Sequence, residues 1–141
     1  MLSNYHNCFG EIYQGRYVCG KVAGMKIKQM IDEKIITKEQ AKIGYVAAFP
    51  LSEVISGYTS FYFGVRSVVP EAVMTVKYTN TWSSYSLEKQ AAKELVDEDC
   101  VVISQHSDTV GPAAICENAE RDIPVYHVGY NQSMTDIAPT R

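Results

Sequence analysis

The sequence predicts an α/β fold, a doubly wound parallel sheet of about four strands in the order 2-1-3-4, preceded by one helix. Three observations carry this prediction. From residue 43 onward, short apolar runs alternate with stretches of helical periodicity, the pattern of repeated strand–helix units. Ile43-Gly44-Tyr45-Val46-Ala47-Ala48 and Cys100-Val101-Val102-Ile103-Ser104 read as buried strands, whereas Val73-Met74-Thr75-Val76-Lys77-Tyr78 alternates as an edge strand does. Each run also stops abruptly at polar or aromatic residues: Ala47-Ala48-Phe49-Pro50, Thr79-Asn80-Thr81-Trp82, Ser104-Gln105-His106-Ser107-Asp108 and Val128-Gly129-Tyr130-Asn131. Right-handed crossovers with short connections give the strand order. They line the four tips along the carboxyl edge of the sheet, where open α/β sheets bind ligands, and place Phe49 beside His106 where the order reverses.

The elements follow in order. Gly10 to Ile31 reads as one helix, with Ile12, Tyr13, Tyr17, Val18, Val22, Met25 and Met30 at three- and four-residue steps. Gly15, Gly20 and Gly24 lower its propensity by up to about 1 kcal/mol each, and glycines on one side of a helix mark close packing. Residues 32–42 are charged and irregular, with a short turn from Thr37. After the first strand, Leu51 to Val68 is a helix striped by Val54, Ile55, Tyr58, Tyr62 and Val65, ending before Pro70. Leu87 to Glu98 is a helix seated on Leu87, Ala91 and Leu95, with Ser84 or Ser86 as its cap. Thr109 to Glu120 is another, carrying Pro112 in its first turn, where proline is tolerated. Pro124-Val125-Tyr126-His127-Val128 is the fourth strand, with His127 a core or edge histidine, and Gln132 to Arg141 reads as loop or linker. The first helix is not needed as a crossover. It reads as the last helix of something before it, dividing the chain into a helical segment, 1–36, and an α/β unit, 37–141.

Composition narrows the function. At 141 residues, 46% hydrophobic and 21% charged, the chain can bury one ordinary core. A net charge of -3 and a pI near 5.6 exclude a nucleic-acid partner, since no basic run could neutralise phosphates. The start, Met1-Leu2-Ser3-Asn4-Tyr5-His6, shows neither a basic leader nor an apolar signal core. Cys8, Cys19, Cys100 and Cys116 form no CxxC pair, which argues against zinc, and Cys100 and Cys116 read as small buried thiols.

At the tips, Phe49 and Trp82 offer faces for a flat ring, or alternatively cover the core. The amide groups before the fourth helix, with Ser107 and Thr109, are suited to a carboxylate, phosphate or ribose oxygen. His106 and Asp108 could serve as a catalytic couple, but there is no GxSxG elbow to supply a nucleophile. Asn131 can both give and accept hydrogen bonds, although a turn-forming asparagine would look the same. No phosphate-gripping glycine loop is present. A receiver-type phosphoacceptor domain would need acidic residues where Phe49 and His106 stand. The pattern fits holding a small molecule rather than transforming it, so no catalytic residue, metal or cofactor is expected.

With these tips the chain resembles the basic membrane protein (BMP) family of substrate-binding lipoproteins of ABC importers, which include purine-nucleoside receptors. The resemblance rests on Phe9-Gly10, Tyr13-Gln14-Gly15-Arg16-Tyr17 and Gly20; Ile43 to Pro50 with Glu53-Val54; Asn80-Thr81-Trp82; Gln105-His106-Ser107-Asp108; and Gly129-Tyr130-Asn131. It implies one lobe of a type I periplasmic-binding-protein-like fold, preceded by a helix from the other lobe and ending near the hinge after Pro139. It also implies that Phe49, Trp82, His106, Asp108 and Asn131 face an interlobe cleft, the aromatics on a purine-like ring and the polar groups on its edges. Nucleoside-binding relatives often carry an acidic residue where Asn131 stands, so a free base is as good a candidate as a nucleoside.

The resemblance further implies an ABC permease as partner and an extracytoplasmic, lipid-anchored whole protein. Its leader, lipidated cysteine and first-lobe ligand residues would lie outside these 141 residues. A regulatory ligand sensor of the same family and a small hydrolase using His106 and Asp108 are the competing readings. An uncovered stripe of Ile12, Tyr13, Tyr17, Val18 and Val22 would favour a homodimer through the 10–31 helix.

Overall fold

Strand β1 (Lys42–Ala47) runs through the middle of a four-stranded parallel sheet, between β2 (Val73–Tyr78) and β3 (Val102–His106), with β4 (Tyr126–Val128) beyond β3. The order is therefore 2-1-3-4, as the sequence predicts. Pairing runs from Lys42 with Val73 to Ala47 with Tyr78 on one side, and from Ile43 with Val102 to Ala47 with His106 on the other. The computed structural model describes Asn4, His6 and residues 8–141. Most of the N-terminal stretch read for an export signal thus lies outside the described residues.

The two faces of β1 explain the double winding. Ile43, Tyr45 and Ala47 share one core with Val54, Phe61 and Val65 of α2 (Ser52–Arg66) and with Ala23, Ile27 and Met30 of α1 (Ile12–Asp32). Val46 faces the other way, into a second core with Ala92, Leu95 and Val96 of α3 (Tyr85–Asp97) and Cys116 of α4 (Gly111–Glu117). Side chains two apart on a strand share a face, so a continuous apolar run serves both layers. Among the described residues no helix is long and apolar enough to cross a membrane.

The first helix is seated on α2. Gly20 and Gly64 meet at the crossing: a methyl group on Gly20 would overlap the Phe61 carbonyl, and one on Gly64 the Tyr17 carbonyl. Gly24 is similarly close to Val65 and Val68. The buried side of α1 is thus satisfied by α2, while Ile12, Tyr13, Tyr17, Val18, Val22 and Met25 stay exposed.

Several boundaries move for local reasons. Ser84 caps α3 by accepting from Leu87 N–H, so that helix starts earlier than Leu87. Asp99, at φ 68, turns the chain after α3, and Cys100 N–H closes on the Leu95 carbonyl, so β3 begins at Val102 rather than Cys100. The fourth helix is seven residues long, not twelve. It ends at Asn118, whose side chain bonds the Ala114 carbonyl at 2.8 Å, and its expected start is occupied by hydrogen bonds described below. The tail is irregular but anchored: Met134 and Ala138 pack on Ala113, and Thr140 bonds Glu117 through both N–H and hydroxyl.

Candidate ligand-binding site

Four ring side chains form a continuous row along the carboxyl edge. Phe49 and Trp82 have ring centres 6.0 Å apart, Trp82 and His106 6.2 Å, and His106 and Tyr130 4.7 Å, all tilted relative to one another. Backbone bonds set this spacing. Ala48 N–H donates to the His106 carbonyl at 3.0 Å, Thr79 N–H to Ala47 at 2.9 Å and Asp108 N–H to Trp82 at 2.9 Å. Asn80 and Asn131 adopt φ 55 and 54, a left-handed turn that asparagine tolerates, directly after β2 and near the end of β4.

His106 is the floor of the row. Its side chain is 2% exposed, and burial pushes its pKa down to about 4, with the Arg16 charge acting in the same direction. At neutral pH the imidazole is uncharged and offers one donor and one acceptor. Neither ring nitrogen has a hydrogen-bond partner, and Nε2 lies 3.8 Å from Glu53 Oε1. Gly57 leaves room for the ring: an added Cβ there would come 2.7 Å from Nδ1. A cavity of about 220 Å³ reaches His106 past Glu53, Ser56 and Gly57 and under Phe9 to Tyr13.

Of the five residues expected from the sequence, Phe49, Trp82 and His106 come together directly. Asn131 joins them through Tyr130 and Arg16: Arg16 Nη2 donates to Asn131 Oδ1 at 2.7 Å, and its Cζ lies 4.8 Å from the Tyr130 ring centre. Asp108 is held only through its backbone bond to Trp82, with an exposed side chain. Its carboxylate makes no hydrogen bond to His106, so the two do not form a couple here.

The expected anion site before α4 is filled from within the chain. Glu88, fully buried on α3, accepts from the Ser107 hydroxyl at 2.9 Å and Thr109 N–H at 3.1 Å through Oε2, and from Ser84 N–H at 3.1 Å through Oε1. A carboxylate of the protein itself therefore takes the donors that the sequence assigns to a ligand. The same contacts remove Ser107 as a nucleophile for His106. Gln105 is likewise committed, donating to the Ser107 and Thr109 carbonyls while its Oε1 pairs with His127 Nε2 at 2.9 Å. His127 is thus a satisfied histidine, with its pKa lowered by burial to about 4.

Cys100 and Cys116 are buried free thiols, both pushed up to about 12 by burial. Among the described residues no cluster of His, Cys, Asp and Glu could hold a metal. Arg16, Glu53, Glu88 and Tyr130 join this candidate site without a role assigned to them from the sequence, although Arg16, Glu53 and Tyr130 stand in the stretches that carry the resemblance. Arg16 and Glu88 read locally as ordinary charged positions on helices, and only tertiary burial gives them their roles.

Comparison with known proteins adds lineage to this geometry. Residues 3–141 match a family described as ABC transporter substrate-binding protein, PnrA-like. A protein of Haloferax volcanii, provisionally named as an ABC transporter glucose-binding protein, is 38% identical over 131 residues, covering 93% of this chain and 30% of its own. A purine-binding protein of Brucella abortus is 34% identical over 129 residues, covering 92% of this chain and 33% of its own. The chain thus spans about a third of the length of these relatives. An ABC transporter system solute-binding protein from Conexibacter woesei shares the fold at a TM-score of 0.60 and 18% identity, over 81% of this chain and 34% of the other.

Proposed function

The chain belongs to the Bmp family of PnrA-like ABC transporter substrate-binding proteins, and we propose that it forms one jaw of a receptor for a purine base or nucleoside. The family is one of binding proteins, not enzymes. The observation that carries the ligand assignment is the row Phe49, Trp82, His106 and Tyr130, in which the His106 imidazole is neutral and unpartnered. Tilted aromatic faces favour a flat heterocycle by stacking, worth about 0.5–1.5 kcal/mol per ring beyond area burial. His106 and Asn131 would supply its edge hydrogen bonds and Asp108 an outer polar contact. The name of the Brucella relative supports the same ligand class.

In this reading the opposing jaw comes from the rest of a two-lobed receptor. The whole protein acts outside the cytoplasm, lipid-anchored, and delivers its solute to an ABC permease. Self-association through the exposed side of α1 is a further part of the proposal. Light scattering should then show dimers that Val18→Glu disperses.

The name of the Haloferax relative favours a sugar as the second reading, because pyranose rings also stack on aromatic faces. Titrating adenine, adenosine and glucose against Trp82 emission separates the two, since Trp82 is the single tryptophan of this chain. Calorimetry on the full-length receptor then gives affinities with both jaws present. Response to a purine and not to glucose supports the assignment. A full-length receptor that responds to glucose alone, or to neither purine, overturns it.

A further inference from the structure

Arg16 and Asn131 are 115 residues apart in sequence and meet at the carboxyl edge. Arg16 comes from the second turn of α1 and is only 5% exposed, whereas Asn131 is exposed at the tip that follows β4. Both line a hollow of about 460 Å³ shared with Gly15, Cys19 and Gly129. The planar guanidinium lies over the Tyr130 ring while Nη2 bonds Asn131 Oδ1, a double engagement that a lysine ammonium would not reproduce.

This contact dictates how Asn131 faces a ligand. A guanidinium has donors and no acceptor, and a primary amide has one oxygen and one NH2 group. Only one of the two amide orientations can therefore meet Arg16, the one with Oδ1 turned inward. One Nδ2 hydrogen is turned to the Tyr130 hydroxyl beside it, and the amide makes no other side-chain hydrogen bond among the described residues.

We infer that Arg16 is a positioning residue, holding Asn131 with Nδ2 toward the cleft so that the site takes a hydrogen-bond acceptor there. A ring nitrogen or carbonyl oxygen of a flat heterocycle meets that requirement. A group that can only donate would leave two donors facing each other once the cleft closes over them, and binds less well. The identity of the ligand rests on the purine reading above; the orientation of the amide does not.

A double-mutant cycle tests the inference in the full-length receptor, with adenine binding followed by calorimetry. Arg16→Met should weaken adenine about tenfold in the native background and less than about twofold when Asn131 is already alanine. Arg16→Lys, which keeps a donor, should recover part of the loss. Equal losses in both backgrounds would mean a general structural effect and would overturn the role. Melting curves identify any variant that fails to fold.

The native chain offers a second test that needs neither variant nor ligand. In the isotope-labelled protein, Asn131 Nδ2 protons should show no strong NOE to the Arg16 Nη protons. Strong cross-peaks would mean the amide is turned the other way and the inference is wrong. If the full-length receptor binds neither adenine nor adenosine, the purine reading fails, and the NOE alone decides the orientation.

Discussion

The Ser107 hydroxyl donates to Glu88 at 2.9 Å, while the imidazole of its neighbour His106 lies against Gly57 with both nitrogens unpartnered. Successive side chains at the end of β3 thus serve opposite layers, one reaching α3 and the other α2. His106 keeps both ring nitrogens without a partner, and Ser107 is withdrawn into a structural loop. This division argues against a hydrolase built on the His106-Ser107-Asp108 run and fits the non-enzymatic character of the family.

Glu88 should matter for stability. Replacing it with alanine leaves Ser107 O–H, Thr109 N–H and Ser84 N–H without their acceptor, a loss of roughly 2–4 kcal/mol. Glu88→Gln keeps the shape and one acceptor oxygen and should cost less. Urea unfolding of the two variants checks both the size and the order.

The glycines of α1 should behave in opposite ways. Gly20→Ala places a methyl group into the Phe61 carbonyl, and overpacking of this kind costs about 3 kcal/mol. Gly15→Ala meets nothing within 4 Å and should stabilise by up to about 1 kcal/mol through helix propensity. Thermal melts of the pair would show a large fall for one and a small rise for the other.

Stability should decline as pH falls from about 6.5 toward 4. His106 and His127 are both held at about 4 by burial, below the ordinary histidine value of about 6.5. The unfolded chain therefore binds more protons than the folded one in that window, and acid favours unfolding. The contribution is complete above about 6.5, is lost through the window and changes no further below 4. His127→Gln should flatten part of this slope, measured as the unfolding midpoint against pH.

Trp82 should carry ligand affinity rather than fold stability. It is half-buried at the tip between Phe49 and His106, so Trp82→Ala should weaken purine binding by about tenfold, in line with the loss of one aromatic face. The variant should melt within a few degrees of the native chain. Calorimetric titration beside a melting curve distinguishes the two effects.

The order of strands, the edge position of β2, the two-sided cores and the four tips were legible in the sequence, because each follows from local period and connection length. Phe49, Trp82 and His106 could be brought together on that basis alone: parallel register puts strand ends side by side. The ends of α4 and the start of β3 were not legible, since they depend on Glu88 and Asn118 completing hydrogen bonds at the helix ends and on Asp99 turning the chain before the strand.

By itself, then, the sequence determined the architecture and the edge at which a ligand would be held. Only the tertiary structure decided which polar groups at that edge are free. Glu88 occupies the donors near α4, Gln105 satisfies His127, and Arg16 turns the amide of Asn131. The physical reason is that periodicity reports which face of an element is apolar, and is silent about where a long charged side chain ends. A buried carboxylate or guanidinium finds its partner across elements, and that pairing exists only once the layers have packed.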